Sequence, residues 1–287
     1  PRSGEAESPI TYKAYEGEEV IISGANEVTG FEHHEGDIYK APVQLTQGDK
    51  NQVFVNGDMG FNARWPNTAT GKFYEGFAEV ESGSNTTITD PKLAEFGDDF
   101  FKGATVWVNA GSRWTSQTSE VTDHTGDTIT FNGLGLTDVQ NTPAKGNPYY
   151  LFNVYGALDS ENEWWYDEEE QMLYLYGDPT GKTVQVKARD TAINLDNVSY
   201  VNIDGIQVLG AGISGTNTSS ITLNRVEANY AAHASTIENP YGTDVASIKL
   251  FGNNNTISNC EVAYSSATGV WISGDDNLLF NSKIHDT

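Results

Sequence analysis

Charged and titratable residues recur at matching places in the last third of the chain. Arg225, Glu227, Glu261, Lys283 and His285 each adjoin an apolar position of a short repeated segment. Two carboxylates can serve as the general acid and the general base of a glycoside hydrolase. A lysine, a histidine or a tyrosine can instead remove the proton α to a uronate carboxylate, which an arginine or bound Ca²⁺ neutralises. The residues therefore fit hydrolysis, β-elimination or an alternating charge ladder that only avoids like-charge stacking.

The segments that carry these residues form a degenerate repeat. Val201–Ile206, Ile221–Val226, Ile257–Val262 and Leu279–Ile284 follow one another after 20, 36 and 22 residues, with Asn, Asp or Gly at or beside each bend. Such self-similarity is typical of a solenoid, and the Leu-x-x-Leu-x-Leu frame of a leucine-rich repeat is absent. We therefore predict an all-β fold, a right-handed parallel β-helix. Its inward ladders would be Val201, Ile221, Ile257 and Leu279, and Ile206, Val226, Val262 and Ile284.

This register places the candidate residues in two outward columns. One column is Gly205, Arg225, Glu261 and Lys283, and the other is Gln207, Glu227, Ala263 and His285. Glu227 and Glu261 would then lie one rung and two residues apart, about 8 Å by strand geometry. That separation suits the two carboxylates of an inverting glycosidase.

The 36-residue step holds about fourteen extra residues, and such insertions commonly build the binding face of a solenoid. The insertion covers residues 233–246. We predict that it forms a wall beside the surface of Glu227 and Glu261, with a solvated loop as the alternative. The predicted substrate-binding residues are Arg225, His233, Glu238, Tyr241 and Asp244.

The repeat is absent from the middle of the chain, which has strands of unequal length and a hairpin signal at Asn56-Gly57. We predict an early β-helix coil in residues 1–25, an inserted antiparallel β domain in 26–188, and further coils in 189–287. Because the sequence stops inside a repeat, the coils are expected to continue in a longer protein.

Several stretches resemble a known group of proteins. They are Pro9-Ile-Thr-Tyr-Lys-Ala-Tyr15, Gln52-Val-Phe-Val-Asn-Gly57, Ala63-Arg-Trp-Pro-Asn67 and residues 157–167 with Leu173-Tyr-Leu-Tyr176. The chain is similar to secreted right-handed β-helix proteins of carbohydrate-active type with an inserted domain. These include alginate and chondroitin lyases, xylosidases, other glycoside hydrolases and proteins with no known reaction. The resemblance implies the fold but not one reaction, because function resides in a site.

Composition narrows the choice of function. Sixteen basic and forty acidic residues give a net charge of −24, which argues against nucleic acid and disfavours a polyanionic substrate. We therefore favour a secreted, extracellular glycoside hydrolase acting on a polysaccharide. The alternatives are a polysaccharide lyase and a non-catalytic adhesive β-helix protein.

The remaining motifs predict little chemistry. No apolar run is long enough to span a membrane, and the single cysteine, Cys260, lies at an inward position. We expect no metal centre and no cofactor, although Gly274-Asp-Asp-Asn277 has oxygens that Ca²⁺ could use. The tryptophans are interpreted as core, and Glu161 to Glu170 as a solvated acidic hairpin.

Overall fold

The computed structural model describes residues 1–68, 75–237 and 245–287, and their regular structure is almost entirely β. Two strands come first, β1 (Ile10–Lys13) and β2 (Ile21–Ser23). The middle of the chain holds β3 (Ala25–Glu27), β4 (Glu32–Glu35), β5 (Ile38–Pro42), β6 (Val53–Val55), β7 (Asp58–Met59), β8 (Phe61–Asn62), β9 (Arg64–Trp65), β10 (Ala78–Glu79), β11 (Ser82–Gly83), β12 (Thr87–Thr89), β13 (Thr105–Val108), β14 (Gln117–Thr125), β15 (Thr128–Phe131), β16 (Pro148–Phe152), β17 (Glu163–Asp167), β18 (Met172–Tyr176) and β19 (Val184–Lys187).

The last third of the chain contains β20 (Thr191–Asn194), β21 (Ser199–Asp204), β22 (Gln207–Leu209), β23 (Gly212–Asn224), β24 (Glu227–Asn229), β25 (Ala246–Asn253), β26 (Thr256–Ser258), β27 (Glu261–Ala263), β28 (Thr268–Ser273), β29 (Leu278–Phe280) and β30 (Lys283–His285). Short 3-10 helices lie at Gly48–Lys50, Pro91–Glu95 and Tyr155–Ala157. Within the described ranges, no helix is long and apolar enough to cross a bilayer.

The first two strands of the chain pair with strands of its last third and form two parallel sheets. One contains β1, β21, β23, β25 and β28, joined by β20, β26 and β29, and the other has the order β2-β22-β24-β27-β30. Inner strands pair in parallel with a strand on each side, as β24 does with β22 and β27, and the edge strands pair on one side only. The chain therefore stacks successive coils, and their inward apolar side chains form one core cluster.

Each of the two predicted ladders is wrong at its middle step, which crosses the insertion. Val201 does pair with Ile221, but Ile257 pairs with Leu223 instead of Ile221. In the second sheet the inward ladder is Val208, Ala228, Val262 and Ile284. The middle step is therefore 34 residues and not 36. Because side chains alternate with a period of two, a slip of two residues keeps every side chain on its face and leaves the apolar pattern unchanged.

Residues with a left-handed backbone conformation turn the chain at the corners of the coils. At the bend between the two parallel sheets, Gly205, Arg225, Asn259 and Asn281 have φ of 66°, 51°, 54° and 47°. Glycine and asparagine adopt this region most readily, which explains the Asn and Gly residues of the sequence repeat.

Between β2 and β20 the chain leaves the coils and forms sheets with mostly antiparallel pairing, here named the antiparallel region. Their orders are β10-β16-β13-β14-β15-β12-β11, β4-β5-β18-β17-β8 and β3-β19-β6-β7. The predicted hairpin at Asn56-Gly57 is present between β6 and β7, with φ of 54° and 88° at the two turn residues. The region packs on the coils through Phe54, which is fully buried and contacts Tyr230 edge-on at 5.9 Å.

Candidate functional site

The outward face of the second parallel sheet carries most of the predicted site residues. Gln207, Glu227, Glu261 and Lys283 form one column. A groove of about 360 Å³, named here the coil groove, is lined by Arg225, Glu227, Asn259, Cys260, Glu261, Asn281, Ser282 and Lys283. The structure brings Arg225, Glu227, Glu261 and Lys283 together, and His285 joins them through Glu261. The two predicted columns are wrong, because Glu227 and not Arg225 shares a column with Glu261 and Lys283.

The separation predicted for the two carboxylates is wrong. Glu227 and Glu261 are directly paired in adjacent strands, so their backbones lie about 4.8 Å apart rather than about 8 Å. The two-residue slip in the register accounts for the difference. The geometry argument for an inverting pair therefore fails.

Glu261 in the coil groove is paired with two cationic or titratable neighbours. Glu261 Oε1 accepts from Lys283 Nζ at 3.0 Å and from His285 Nε2 at 2.9 Å, and His285 Nδ1 lies 2.7 Å from Asp286 Oδ2. The hydrogen bonds from His285 and Lys283 hold the pKa of Glu261 below its ordinary value. Glu261 and Asp286 in turn raise the pKa of His285. A general acid needs a raised carboxyl pKa, so Glu261 is poorly placed for that role.

Arg225 is also occupied by a carboxylate. Its Nε and Nη2 donate to the two carboxylate oxygens of Asp204 at 2.9 and 2.6 Å. This bidentate pair spans neighbouring coils and lies at the surface. The alternating charge ladder weighed from the sequence is present only in part, because Lys283 follows Glu261 but the like-charged Glu227 and Glu261 lie on adjacent strands.

A much larger cavity lies between the antiparallel region and the last coils. This large cleft has a volume of about 1060 Å³. Its lining from the antiparallel region includes Asn62, Arg64, Phe77, Trp107, Tyr150, Phe152, Trp164 and Trp165, and its lining from the coils includes His233, Tyr264, Ser265 and Asp286. Ligand sites usually occupy such concave surfaces between two structural units.

The insertion after β24 lines this cleft. Ser235 N donates to Asp49 O at 2.7 Å, and Ile237 N donates to Thr118 Oγ1 at 2.8 Å, so the segment lies against the antiparallel region. The insertion therefore forms a wall, but its described part lines the large cleft and not the coil groove. Glu238, Tyr241 and Asp244 lie outside the described residues.

Among the predicted substrate-binding residues, His233 lines the large cleft. It is partly exposed, yet protein surrounds it on most sides. Burial and the nearby charge of Lys187 lower its pKa to about 4. His233 is therefore neutral at physiological pH, so one ring nitrogen donates a hydrogen bond and the other accepts one.

Aromatic side chains form one wall of the large cleft. Trp107 stacks on Tyr150 at 5.2 Å and on Phe77 at 5.4 Å between ring centroids. Trp107 and Tyr150 are cross-strand neighbours on β13 and β16, whose other face packs in the core. The sequence analysis assigned Trp107 to the core, and the signal that it missed is a pair of strands with apolar side chains on both faces.

Arg64 lies beneath this wall and is only 4% exposed. Its guanidinium carbon is 4.0 Å from the centroid of Tyr150, and it donates to Pro66 O at 3.0 Å and to Gly76 O at 2.6 Å. Burial lowers the pKa of Arg64, while Tyr150 and Glu163 oppose that change. The guanidinium thus fixes the position of the aromatic wall.

Glu163 was expected in a solvated hairpin, but it is 3% exposed. Its carboxylate accepts from the backbone N–H groups of Arg64, Asp159 and Ser160 at 3.4, 3.2 and 3.2 Å. Burial nonetheless raises the pKa of Glu163 to about 7. The carboxyl group therefore titrates near neutral pH.

Neither part of the site is a recognisable metal centre in the described residues, which contain no group of three or more His, Cys, Asp or Glu side chains that could hold an ion. At the candidate Ca²⁺ loop, Asn277 Oδ1 accepts from Asn255 N at 2.9 Å, and its Nδ2 donates to Gly252 O at 2.8 Å. Asn277 therefore links neighbouring coils. The Ca²⁺ hypothesis stays a prediction.

Comparison with known proteins supports the fold. No family model matches the chain, and no curated protein matches its sequence. A solved structure titled as a glycoside hydrolase is similar, with a TM-score of 0.67 and 14% identity over 94% of this chain. The chain spans 56% of the length of that protein.

Two further solved structures have lower similarity. XylC in complex with xylose has a TM-score of 0.36 and 10% identity, with 99% of this chain and 55% of the other covered. A tailspike of the Pseudomonas phage phi297 has a TM-score of 0.18 and 14% identity, with 72% and 33% covered.

Proposed function

We propose that this chain is the carbohydrate-binding part of a polysaccharide-degrading protein, and that it binds a sugar chain in the large cleft. The observation that carries the proposal is a cleft of about 1060 Å³ with a wall of stacked aromatic side chains. Aromatic rings offer large apolar faces and edges against which the C–H groups of a sugar can pack. The protein titled as a glycoside hydrolase, which shares the fold over 94% of this chain, supports the same assignment.

Hydrolysis is the favoured reaction and β-elimination on a uronate polymer is the alternative. A lyase needs a free cation to neutralise the uronate carboxylate and a free base beside it. Arg225 is paired with Asp204, and Lys283 is paired with Glu261. The net charge of −24 also disfavours a polyanion.

We propose catalytic residues for hydrolysis and for β-elimination. Glu227 and Glu261 are the candidates of the coil groove for hydrolysis, and Lys283 and His285 are its candidates for elimination. The large cleft adds the carboxylates of Asp49, Asp167, Glu168 and Asp286.

The proposed fold, domain organisation and location follow from the resemblance to secreted β-helix proteins. We propose that the stacked coils form a right-handed β-helix, that residues 26–188 are a domain inserted in it, and that the protein is secreted. A longer protein with further coils is part of the same proposal. The non-catalytic adhesive protein is the alternative, since Glu261, Lys283 and His285 pair with one another and Arg225 pairs with Asp204.

Product analysis of the full-length protein tests the reaction. On neutral and uronate polysaccharides, hydrolysis produces reducing ends without absorbance at 235 nm, whereas elimination produces both signals. Binding without either product would indicate the adhesive alternative.

Trp107→Ala tests the location of the site. Loss of the aromatic wall is expected to weaken carbohydrate binding at least tenfold. Trp114→Ala is the matched control, because Trp114 is 74% exposed and does not line the large cleft. Equal effects of the two variants on binding, with both folded by circular dichroism, would contradict the assignment to this cleft.

A further inference from the structure

We infer that Asp286 is the residue through which the coils contact a sugar chain in the large cleft, and that His285 is the positioning residue for its carboxylate. The inference rests on the proposed function and assigns two residues of that same site. Asp286 lines the cleft, and its side chain is 40% exposed, so a ligand can reach it. The aromatic wall around Trp107 supplies the other contact to the sugar chain.

The carboxylate of Asp286 is held in one place by the coils. His285 Nδ1 lies 2.7 Å from Asp286 Oδ2. In the main chain, Ser265 N of the neighbouring coil donates to Asp286 O at 2.9 Å. Because both the side chain and the main chain are fixed before a ligand arrives, the carboxylate is pre-organised for binding.

The same carboxylate keeps acceptor sites for a ligand. An ionised carboxylate has about four lone-pair sites on its two oxygens, and His285 occupies one of them on Oδ2. Within the described ranges, no lysine or arginine forms an ion pair with Asp286, whereas Glu261 is paired with Lys283. Asp286 is therefore less neutralised than Glu261 and can accept charge-assisted hydrogen bonds from two adjacent sugar hydroxyls.

The other carboxylates that line the cleft lack such a positioning partner. Asp167 Oδ1 accepts from two backbone N–H groups of its own turn at 2.9 Å, and Glu168 belongs to that turn. Asp49 Oδ2 lies 3.5 Å from Thr236 Oγ1. Of these four carboxylates, as far as the structure describes their surroundings, Asp286 alone is hydrogen-bonded to a titratable side chain.

One short segment joins the two sides of the cleft. Ala234 N donates to Ser266 Oγ at 2.8 Å on the coil side, and Ile237 N donates to Thr118 Oγ1 at 2.8 Å on the antiparallel side. Thr118 is the cross-strand neighbour of Trp107. The three residue steps of this segment span at most about 11 Å. A sugar chain of a few units can therefore reach from the aromatic wall to the coil side of the cleft.

His285 is shared between two carboxylates. Its Nε2 lies 2.9 Å from Glu261 Oε1. An imidazolium ion donates to both carboxylates, whereas a neutral imidazole donates at one nitrogen only. Glu261 and Asp286 raise the pKa of His285, which favours the imidazolium. Glu261 therefore holds the far side of the ring, and an uncharged acceptor at that position would hold it as well.

Calorimetric titration of the intact protein tests the contact by Asp286. The probes are xylotetraose, cellotetraose, mannotetraose and tetragalacturonate, and each variant is measured with the probe that binds most tightly. Asp286→Ala is expected to weaken that binding at least tenfold, because the charged acceptor is lost. Asp286→Asn is the second variant. It retains the size and the left-handed backbone preference of aspartate, and it is expected to weaken binding about fivefold.

Asp276→Ala is the matched control for Asp286→Ala. Asp276 is also an exposed aspartate at a corner of the coils, with φ of 55° against 53° for Asp286, but it does not line the large cleft. The two alanine variants therefore share the same backbone cost. Asp276→Ala is expected to leave the affinity within twofold.

Two variants of His285 test its positioning role. The amide nitrogen of asparagine takes the place of Nδ1, and the amide nitrogen of glutamine takes the place of Nε2. His285→Asn therefore keeps the donor to Asp286, whereas His285→Gln keeps only the donor to Glu261. Binding is expected to weaken about fivefold in His285→Gln and to stay within twofold in His285→Asn. Equal affinities of the two variants would overturn the positioning role.

The remaining outcomes distinguish the inference from the proposed function. Unchanged affinity in Asp286→Ala and Asp286→Asn, together with weaker binding in Trp107→Ala, would overturn the inference alone. Absence of binding to every probe would overturn the inference and the proposed function together.

Discussion

The coil groove and the large cleft differ in how their polar groups are satisfied. In the coil groove, Glu261 is hydrogen-bonded to Lys283 and His285, and Arg225 is hydrogen-bonded to Asp204. Around the large cleft, buried atoms of Gln52, Asn62 and Trp164 have no partner within the described residues. Charge density favours the coil groove, whereas concave shape and aromatic lining favour the large cleft, which is the site proposed here. A charge that is already paired gains little from a ligand, and this is the reason for preferring the cleft in the proposal.

The largest effect on stability is expected from Arg64, the buried arginine beside the large cleft. Arg64→Met removes a guanidinium that is 4% exposed, leaves Pro66 O and Gly76 O unpaired and separates Glu163 from its nearby cation. The free energy of unfolding is expected to fall by about 4 kcal/mol, as for other broken buried charge networks. Chemical denaturation measures the change.

Arg225→Met is the matched control for Arg64→Met. Arg225 is exposed, and a surface ion pair of this kind contributes little to stability. A much smaller change than in Arg64→Met is expected. Similar losses in the two variants would contradict the distinction between a buried and a solvated arginine.

The second effect is the pH dependence of the free energy of unfolding. Burial raises the pKa of Glu163 from 4.5 to about 7 in the folded protein. Between these values the folded state binds more protons than the unfolded state, so this group lowers stability as pH rises from about 4.5 to 7 and contributes no further change above that. The loss amounts to roughly 3 kcal/mol.

Glu163→Gln tests this contribution by removing the titration. The variant is expected to gain stability relative to the parent protein between pH 5 and pH 8, by roughly 3 kcal/mol. Urea denaturation at both pH values gives the double difference, in which the other carboxylates cancel. A parallel pH dependence in the two proteins would show that Glu163 ionises normally.

The sequence predicted the coils because their apolar residues repeat at visible intervals. It could not predict the register across the insertion, since Leu223 and Ile221 both face inward and either could pair with Ile257. The alternation of faces is the same after a slip of two residues. Backbone pairing over the whole coil, which the pattern does not report, decides between them.

The sequence yielded the candidate residues of the coil groove, but of the large cleft it yielded His233 and missed the aromatic wall. Charged residues beside a repeat are visible in the sequence, so Glu227, Glu261 and Lys283 were selected. The cleft depends on contacts between distant parts of the chain, such as Gln52 with Tyr230 and Asp49 with Ser235. His233 was selected because an insertion in a solenoid has a recognisable length.

The contact between the coils and the antiparallel region offers an effect of intermediate size on stability. Gly210 has φ of 66°, and a Cβ there would lie 2.9 Å from Phe54 Cζ, whose ring is fully buried. Gly210→Ala is expected to cost about 3 kcal/mol, from the left-handed backbone and from the clash. Thermal unfolding measures the loss.

Gly205→Ala is the control for Gly210→Ala. Gly205 also has φ of 66°, but its Cβ would meet Ala14 Cβ at an ordinary 3.8 Å. Only the backbone cost of about 1 kcal/mol is expected. Equal losses would mean that Phe54 adapts and that the antiparallel region does not depend on this contact.

The smallest effect is expected from Glu261→Gln in the coil groove. The raised pKa of His285 means that its pairing with Glu261 stabilises the protein fully below about pH 6.5 and is lost as pH rises through the folded value. The lowered pKa of Glu261 means that its own contribution is lost as pH falls below about 4.5. Glu261→Gln is therefore expected to move the pKa of His285 down, with Asp286 keeping part of the increase, as followed by nuclear magnetic resonance.

The carbohydrate affinity of Glu261→Gln distinguishes the coil groove from the large cleft as the binding site. If the large cleft is the site, Glu261→Gln leaves affinity within twofold, because Glu261 lines only the coil groove and is paired there with Lys283 and His285. A tenfold loss of affinity or of product formation, with the His285 titration otherwise as expected, would return the site to the coil groove. Glu227 and Glu261, about 4.8 Å apart along the sheet, would then have to act as a close pair of carboxylates rather than as the separated pair of an inverting enzyme.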